Sequence, residues 1–288
     1  MRWPRRGPPT RRLRCFDTMG AEPRTYHAQR MDAFYERLDD DNYLPSAAAV
    51  GPWDPKLLHG GPPIALLAHA LRRHGDAAAR SISRLSVEFL GPVPLAPCRV
   101  TVRTLRPGRR IELLEAVLSA DGRDALLARA WRVQREDGCA PTVPEPFEPP
   151  ALPDAQPQRY FADVGAFPYA QALEWRFVRG GFDTLGPATL WARPRIPLLR
   201  GEPGAGLERL LLMLDSANGV SAELPLREWT FVPIDLQLSV YREPAGEWLG
   251  MDARSVIDPG GVGCAHTTVF DASGACGRSL HTLFVRRR

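Results

Sequence analysis

Two places in this 288-residue chain combine residue types that can act on a carbonyl group: His59-Gly60-Gly61-Pro62-Pro63, and Asp215 within LLLMLDSANG. Paired glycines let a ligand approach the backbone closely, and prolines suit a first helical turn, so the first segment reads as a helix amino terminus. Such an end carries partial positive charge and can hold a carbonyl oxygen as it becomes an oxyanion. Pro62 and Pro63 have no N–H, which leaves Gly60, Gly61 and Ile64 as donors. A tight loop closing a strand is equally compatible with these five residues. One helical turn before Asp215 stand Leu211 and Leu212, so its carboxylate faces a mostly apolar environment, at the unfavourable end of the helix dipole if the helix stops near Asn218-Gly219. An acid kept against both costs suggests a base or a holder of water. The competing reading is an acid at the edge of the core, satisfied by Ser216 or a backbone amide.

Several common signatures are absent. The chain has no G-x-S-x-G elbow, no G-x-x-x-x-G-K-[ST] loop, no strand followed by G-x-G-x-x-G and no H-E-x-x-H. Its net charge of +4 is concentrated in the first thirty residues, where Arg2, Arg5, Arg6, Arg11, Arg12, Arg14, Arg24 and Arg30 face few acids, so a nucleic-acid partner is not expected. The five cysteines form no C-x-x-C pair, and neither a metal site nor a disulfide framework is indicated. No run of eighteen apolar residues occurs, which predicts no membrane span and a cytoplasmic chain.

The elements that position these residues come from an internal repeat. LSVEFLGPVPLAPCRVTVRTLRPGRRIELLEAVLSADGRDALLARAWRVQR, from Leu85, is matched by LQLSVYREPAGEWLGMDARSVIDPGGVGCAHTTVFDASGACGRSLHTLFVRR, from Leu236. A repeat of this length is a domain. Each copy opens with an apolar segment of helical length, HGGPPIALLAHALRR or GLERLLLMLDSANG, followed by alternating strands. Leu85, Val87 and Phe89 share one strand face, as do Leu236, Leu238 and Val240. Asp121-Gly122 and Asp271 to Gly274 are hairpin turns. The pattern predicts an α+β fold, one helix against an antiparallel sheet, twice over.

Residues 1–30 read as an arginine-rich disordered extension, 31–135 as the first domain, 136–159 as a linker with Pro141, Pro144, Pro146, Pro149, Pro150, Pro153 and Pro157, and 160–288 as the second domain. Residues 34–53 and 160–199 are expected to supply the opening strands of the two copies.

The HGGPPIALLAHAL helix, the FLGPVPLAPCRVTVRTLRPGRR strand pair, PIDLQLSVYREPAGEWL and the closing SLHTLFVR resemble the thioesterase-like superfamily, and within it the double-hotdog acyl-CoA thioesterases of type II. The resemblance implies two hotdogs, each a long helix wrapped by a curved antiparallel sheet and packed like a dimer of single hotdogs. It also implies hydrolysis of acyl-CoA by direct attack of water, with coenzyme A present only as part of the substrate and no cofactor. In the family an aspartate, a threonine and a glutamine hold that water. The aspartate maps onto Asp215, the threonine position falls on Pro233 and the glutamine position on His281. His281 can orient a water or act as base through either ring nitrogen. The competing reading packs it in the core beside Leu283 and Val285. Asp235 and Gln237 are nearby substitutes for the lost hydroxyl, on a face that alternation turns outward.

The repeat offset gives Asp215 and His281 no counterparts in the other copy, so one site per chain is expected, built from His59, Gly60 and Gly61 of the first helix and Asp215 of the second. Arg103, Arg106, Arg109 and Arg110, around the Pro107-Gly108 turn, are candidates for the coenzyme A phosphates or simply a solvated hairpin tip. An acyl-CoA-binding protein of weak activity and a hydratase or dehydratase are the rival functions, the latter disfavoured because G-D-x-N-P-x-H is absent. Assembly into a homo-oligomer is left open.

Overall fold

The computed structural model describes residues 31–75, 80–162 and 164–288. The arginine-rich stretch 1–30 lies outside the described residues. The first half contains β1 (Tyr35–Arg37), β2 (Asn42–Pro45), α1 (Gly61–Arg73), β3 (Arg80–Phe89), β4 (Cys98–Arg106), β5 (Ile111–Ala120) and β6 (Arg123–Gln134). The second contains α2 (Pro168–Gln171), β7 (Leu173–Gly181), β8 (Thr184–Pro194), α3 (Gly206–Leu214), α4 (Ala217–Val220), β9 (Trp229–Pro233), β10 (Asp235–Val240), β11 (Leu249–Asp258), β12 (Val262–Asp271) and β13 (Gly274–Arg287).

The strands form one sheet in the order β1-β2-β4-β5-β6-β3-β10-β13-β12-β11-β8-β7, with β9 also pairing β13. Read outward from the central β3/β10 pair, the two halves have the same connectivity, β3 answering β10, β6 answering β13, and so on to the edges. The repeat in the sequence is therefore a repeat in space. At the seam Leu85 lies opposite Leu238 and Val87 opposite Leu236, all four fully buried, so the apolar faces of the two halves join into one core. The hairpin turns fall where turn chemistry requires: Asp121 and Gly122 have φ of 49° and 73°, a conformation that suits Asp-Gly between twisted strands.

Helix α1 starts with Gly60 as cap and prolines in its first turn, ends with Arg72 and Arg73 at the favourable end of its dipole, and is buried from Gly61 to His69. Leu66, Leu67 and Leu71 are fully buried, each worth about 1.5–3 kcal/mol relative to exposure. α1 crosses α3 closely enough that a Cβ on Gly61 would run into the Leu212 carbonyl oxygen.

Between β6 and α2 the described residues form no regular element, yet this proline-rich stretch is tied down. Gln158 accepts from Trp175 N–H and donates to Trp175 C=O, and Gln156 does the same with Phe177, at 2.9–3.0 Å. Two side-chain amides thus stand in for a neighbouring strand along edge strand β7, leaving fewer open groups for another chain to pair with. Further along, Glu145 meets Arg278 and Tyr241.

Candidate active site

Helix α3 stops one residue before Asp215, and α4 begins two residues after it, so the carboxylate projects from a break between helices. Its Oδ2 lies 3.2 Å from Nδ1 of His59, just ahead of α1. The same Nδ1 accepts the Gly61 N–H at 3.1 Å. Burial pushes the Asp215 carboxyl up to about 7, opposed by a hydrogen bond from the Gly60 N–H, and burial takes His59 down to about 3. Two acceptors facing each other at this distance need a proton between them, and a carboxyl that holds its proton to near neutrality supplies it. Asp215 Oδ1 is buried and has no partner.

Tyr169 fixes this arrangement from behind. Its ring stacks on His59 with centroids 3.6 Å apart and planes 5° from parallel, and its hydroxyl donates to Leu212 C=O at 2.7 Å and lies 2.9 Å from Ser216 Oγ. One side chain thereby joins the entry of α1 to the exit of α3. Sequence reasoning missed Tyr169: an isolated tyrosine after a proline carries no signal until its fold neighbours are known.

His59, Gly60 and Asp215 line a largely apolar cavity of about 450 Å³. Its walls include Phe89 and Pro233, so the position where the resemblance implies a threonine does face the site, without a hydroxyl.

Of the three N–H groups expected to serve as oxyanion donors, that of Gly61 donates to His59 and that of Ile64 to Gly60 C=O, while that of Gly60 acts on the Asp215 carboxyl and lowers its pKa. Gly61 is a packing glycine at the helix crossing. Gly60 is the residue that touches the acid: a Cβ there would sit 2.6 Å from Asp215 Oδ2 and 2.9 Å from Phe89 Cε1.

His281 lies on the inward face of β13, fully buried, in line with Leu283 and Val285. It is not a cavity wall, both ring nitrogens lack partners, and burial lowers it to about 4. Asp235 and Gln237 are turned away: Gln237 donates to Asp235 Oδ2 at 3.2 Å, and Asp235 Oδ1 accepts the Thr282 N–H at 2.6 Å. Neither lines the cavity, because alternation along β10 points both to the outer face.

The arginine turn is also elsewhere. Arg80 donates to Gly108 C=O, and Arg132 to Leu71 C=O, which puts the Pro107-Gly108 tip by the carboxyl end of α1. The site is at the other end, about 20 Å away for a helix of this length. Arg103 is paired with Glu115 and Arg106 with Ile111 C=O.

At the symmetry-related position, where α3 begins and α1 ends, the chemistry differs. Glu208 Oε1 lies 3.0 Å from His69 Nδ1 and 2.9 Å from Arg72. Burial pushes Glu208 up, but hydrogen bonds from His69 and the Ala205 N–H, with the Arg72 charge, outweigh it and hold the carboxyl at about 2. A carboxylate so neutralised ties the helices together and is a poor base. Among the described residues no cluster of three His, Cys, Asp or Glu side chains could hold a metal ion, and no helix is long and apolar enough to cross a membrane.

Residues 49–133 match the model of the acyl-CoA thioesterase N-terminal domain, and residues 142–285 that of the acyl-CoA thioesterase C-terminal domain. No curated protein sequence matches the chain. Among solved structures, a protein of unknown function with a hotdog fold from Alicyclobacillus acidocaldarius aligns with a TM-score of 0.66 at 16% identity, covering 88% of this chain and 97% of that one. A putative thioesterase from Novosphingobium aromaticivorans aligns at 0.61 and 22% identity, covering 87% and 98%. The acyl-CoA thioesterase II TesB2 from Mycobacterium marinum aligns at 0.62 and 18% identity, covering 88% and 95%. These likenesses show the hotdog fold, and the mirrored strand order makes it double.

Proposed function

The chain belongs to the acyl-CoA thioesterase family, a family of thioester hydrolases, and from that premise we propose that it cleaves acyl-CoA by direct attack of water, with Asp215 as general base. The observation that carries this reading is the unpartnered Oδ1 of Asp215 on a carboxyl that lines the cavity and is raised to about 7. A base poised near the working pH combines a useful ionised fraction with proton affinity.

In the proposed reaction a water held by Oδ1 gives up a proton to Asp215 as its oxygen bonds to the thioester carbon. The tetrahedral intermediate collapses with cleavage of the C–S bond, and the proton passes from Asp215 to the leaving sulfur. The products are the free acid and the coenzyme A thiol. His59 is neutral at working pH because of its burial. When Asp215 is ionised, the Nδ1–H tautomer of His59 donates to Oδ2 in place of accepting the Gly61 N–H and keeps Oδ1 aimed at the water. Protonation weakens Asp215 as an acceptor for the Gly60 N–H. That donor, at the positive end of α1, can then turn to the oxyanion.

The test is thiol release from a panel of acyl-CoAs by the full chain. Release that disappears in Asp215→Asn supports the assignment. Tight acyl-CoA binding with no release from any substrate favours the binding-only rival.

A further inference from the structure

The lining of the cavity differs in exposure: Trp53 and Ile234, 45% and 50% exposed, mark its mouth, and Phe161 and Phe182, 9% and 7% exposed, mark an inner wall. Phe161 comes from the stretch before α2, and Phe182 from the β7–β8 turn. Their rings meet edge to face at 5.0 Å, and behind Phe182 stand Trp175 at 5.1 Å and Phe177 at 5.7 Å, also edge to face. A wall of interlocked rings does not yield to one more methylene, because close-packed interiors resist volume changes of even that size.

Size points the same way. An apolar cavity of about 150 Å³ takes one benzene ring, so a cavity of about 450 Å³ holds roughly eighteen carbon-sized groups. With roughly a third of that space taken by the thioester and the inner end of the pantetheine arm, about twelve remain for the acyl group.

We propose that Phe161 and Phe182 are the stop that sets acyl length, and that the substrates are compact acyl-CoAs, whose bulk lies within about twelve carbons of the thioester, rather than long-chain fatty acyl-CoAs. The proposal rests on the thioesterase reading of this cavity. Gly219, on α4, lines the cavity beside these rings: a Cβ there would lie 3.2 Å from Phe161 Cζ, tighter than ordinary contact, and would fill space at the stop. Because Gly219 has helical neighbours and no left-handed backbone, its backbone accepts alanine.

Removing and adding bulk at the stop give variants of opposite sign. Thiol release from straight-chain acyl-CoAs of increasing length is expected to peak at or below about twelve carbons and to fall at least about tenfold by sixteen. Phe161→Ala and Phe182→Ala should raise the kcat/KM ratio of the sixteen-carbon to the eight-carbon substrate by about tenfold or more, and Gly219→Ala should shift preference towards shorter chains. If Phe161→Ala and Phe182→Ala fail to fold, Phe161→Leu and Gly219→Ala carry the test, since both keep the site filled. Wild-type protein that cleaves sixteen- and eight-carbon substrates equally well, or folded variants whose ratios do not move, would overturn the stop and leave hydrolysis standing. Absence of release from every acyl-CoA would instead sink the hydrolase reading itself.

Discussion

Asp215 Oδ2 and His59 Nδ1 lie 3.2 Å apart although 156 positions separate them in sequence, one at the exit of a helix in the second half and the other at the entry of a helix in the first. The proposed catalytic unit is thus a property of the paired halves. Neither half carries both members.

Asp215→Asn keeps the shape of the side chain and removes the base. Turnover should fall about a hundredfold or more with the fold intact, as measured by thiol release beside a thermal melt. Full turnover in a folded variant would remove Asp215 from the mechanism.

The same carboxyl makes both activity and stability depend on pH, in opposite senses. A base that titrates near 7 predicts kcat/KM rising as pH passes from 6 to 8. Stability runs the other way, because the folded carboxyl is raised above its ordinary 3.8. Below 3.8 both states hold the proton. Between 3.8 and about 7 the unfolded chain ionises first, and folding loses up to about 4 kcal/mol. Asp215→Asn should therefore raise the melting temperature more at pH 8 than at pH 4, and an equal gain at both would contradict the raised pKa.

The adjacent glycines should respond differently to alanine. At Gly60 the new methyl group presses on the Asp215 carboxylate and the Phe89 ring, so activity is lost with modest loss of stability. At Gly61 it meets the backbone of α3, and the helix crossing itself must open, at a cost of about 1–3 kcal/mol. Kinetics and melts of the pair separate the two roles. Equal stability loss in both would show that the distinction is false.

His281 is fully buried with two unpartnered nitrogens, which costs folding free energy that leucine would not. His281→Leu is expected to stabilise the protein by about 1 kcal/mol or more, most clearly below pH 6.5, and to leave turnover within a few-fold. The sign follows from its lowered pKa: the neutral ring is favoured in the fold, and stability drains as pH falls from 6.5 towards about 4. A drop in turnover near a hundredfold would place His281 on the catalytic water.

Cutting the chain in its exposed stretch near Val143 should not separate the halves. The β3/β10 ladder, the α1/α3 crossing and the Glu208 ion network all span the seam. Size-exclusion chromatography should show both fragments co-eluting, and either half expressed alone should aggregate through its exposed strand edge. Two soluble monomeric halves would contradict the continuous sheet.

What could be read from the chain alone was whatever repeats with local period. The duplicated helix-then-strands pattern, the Asp-Gly turn and the alternation of Leu85, Val87 and Phe89 are all local in origin, because side-chain direction follows backbone geometry residue by residue. Asp215 was legible for the same reason: an acid among leucines on one helix is anomalous without any knowledge of the fold. The partners of that acid were decided only by tertiary structure. His59 reaches it across the seam, Tyr169 of the second half stacks on that imidazole, and Phe161 and Phe182 meet from separate segments at the cavity wall. Long-range contacts of this kind depend on where the chain returns to itself, and residue spacing along a single sequence does not encode that return.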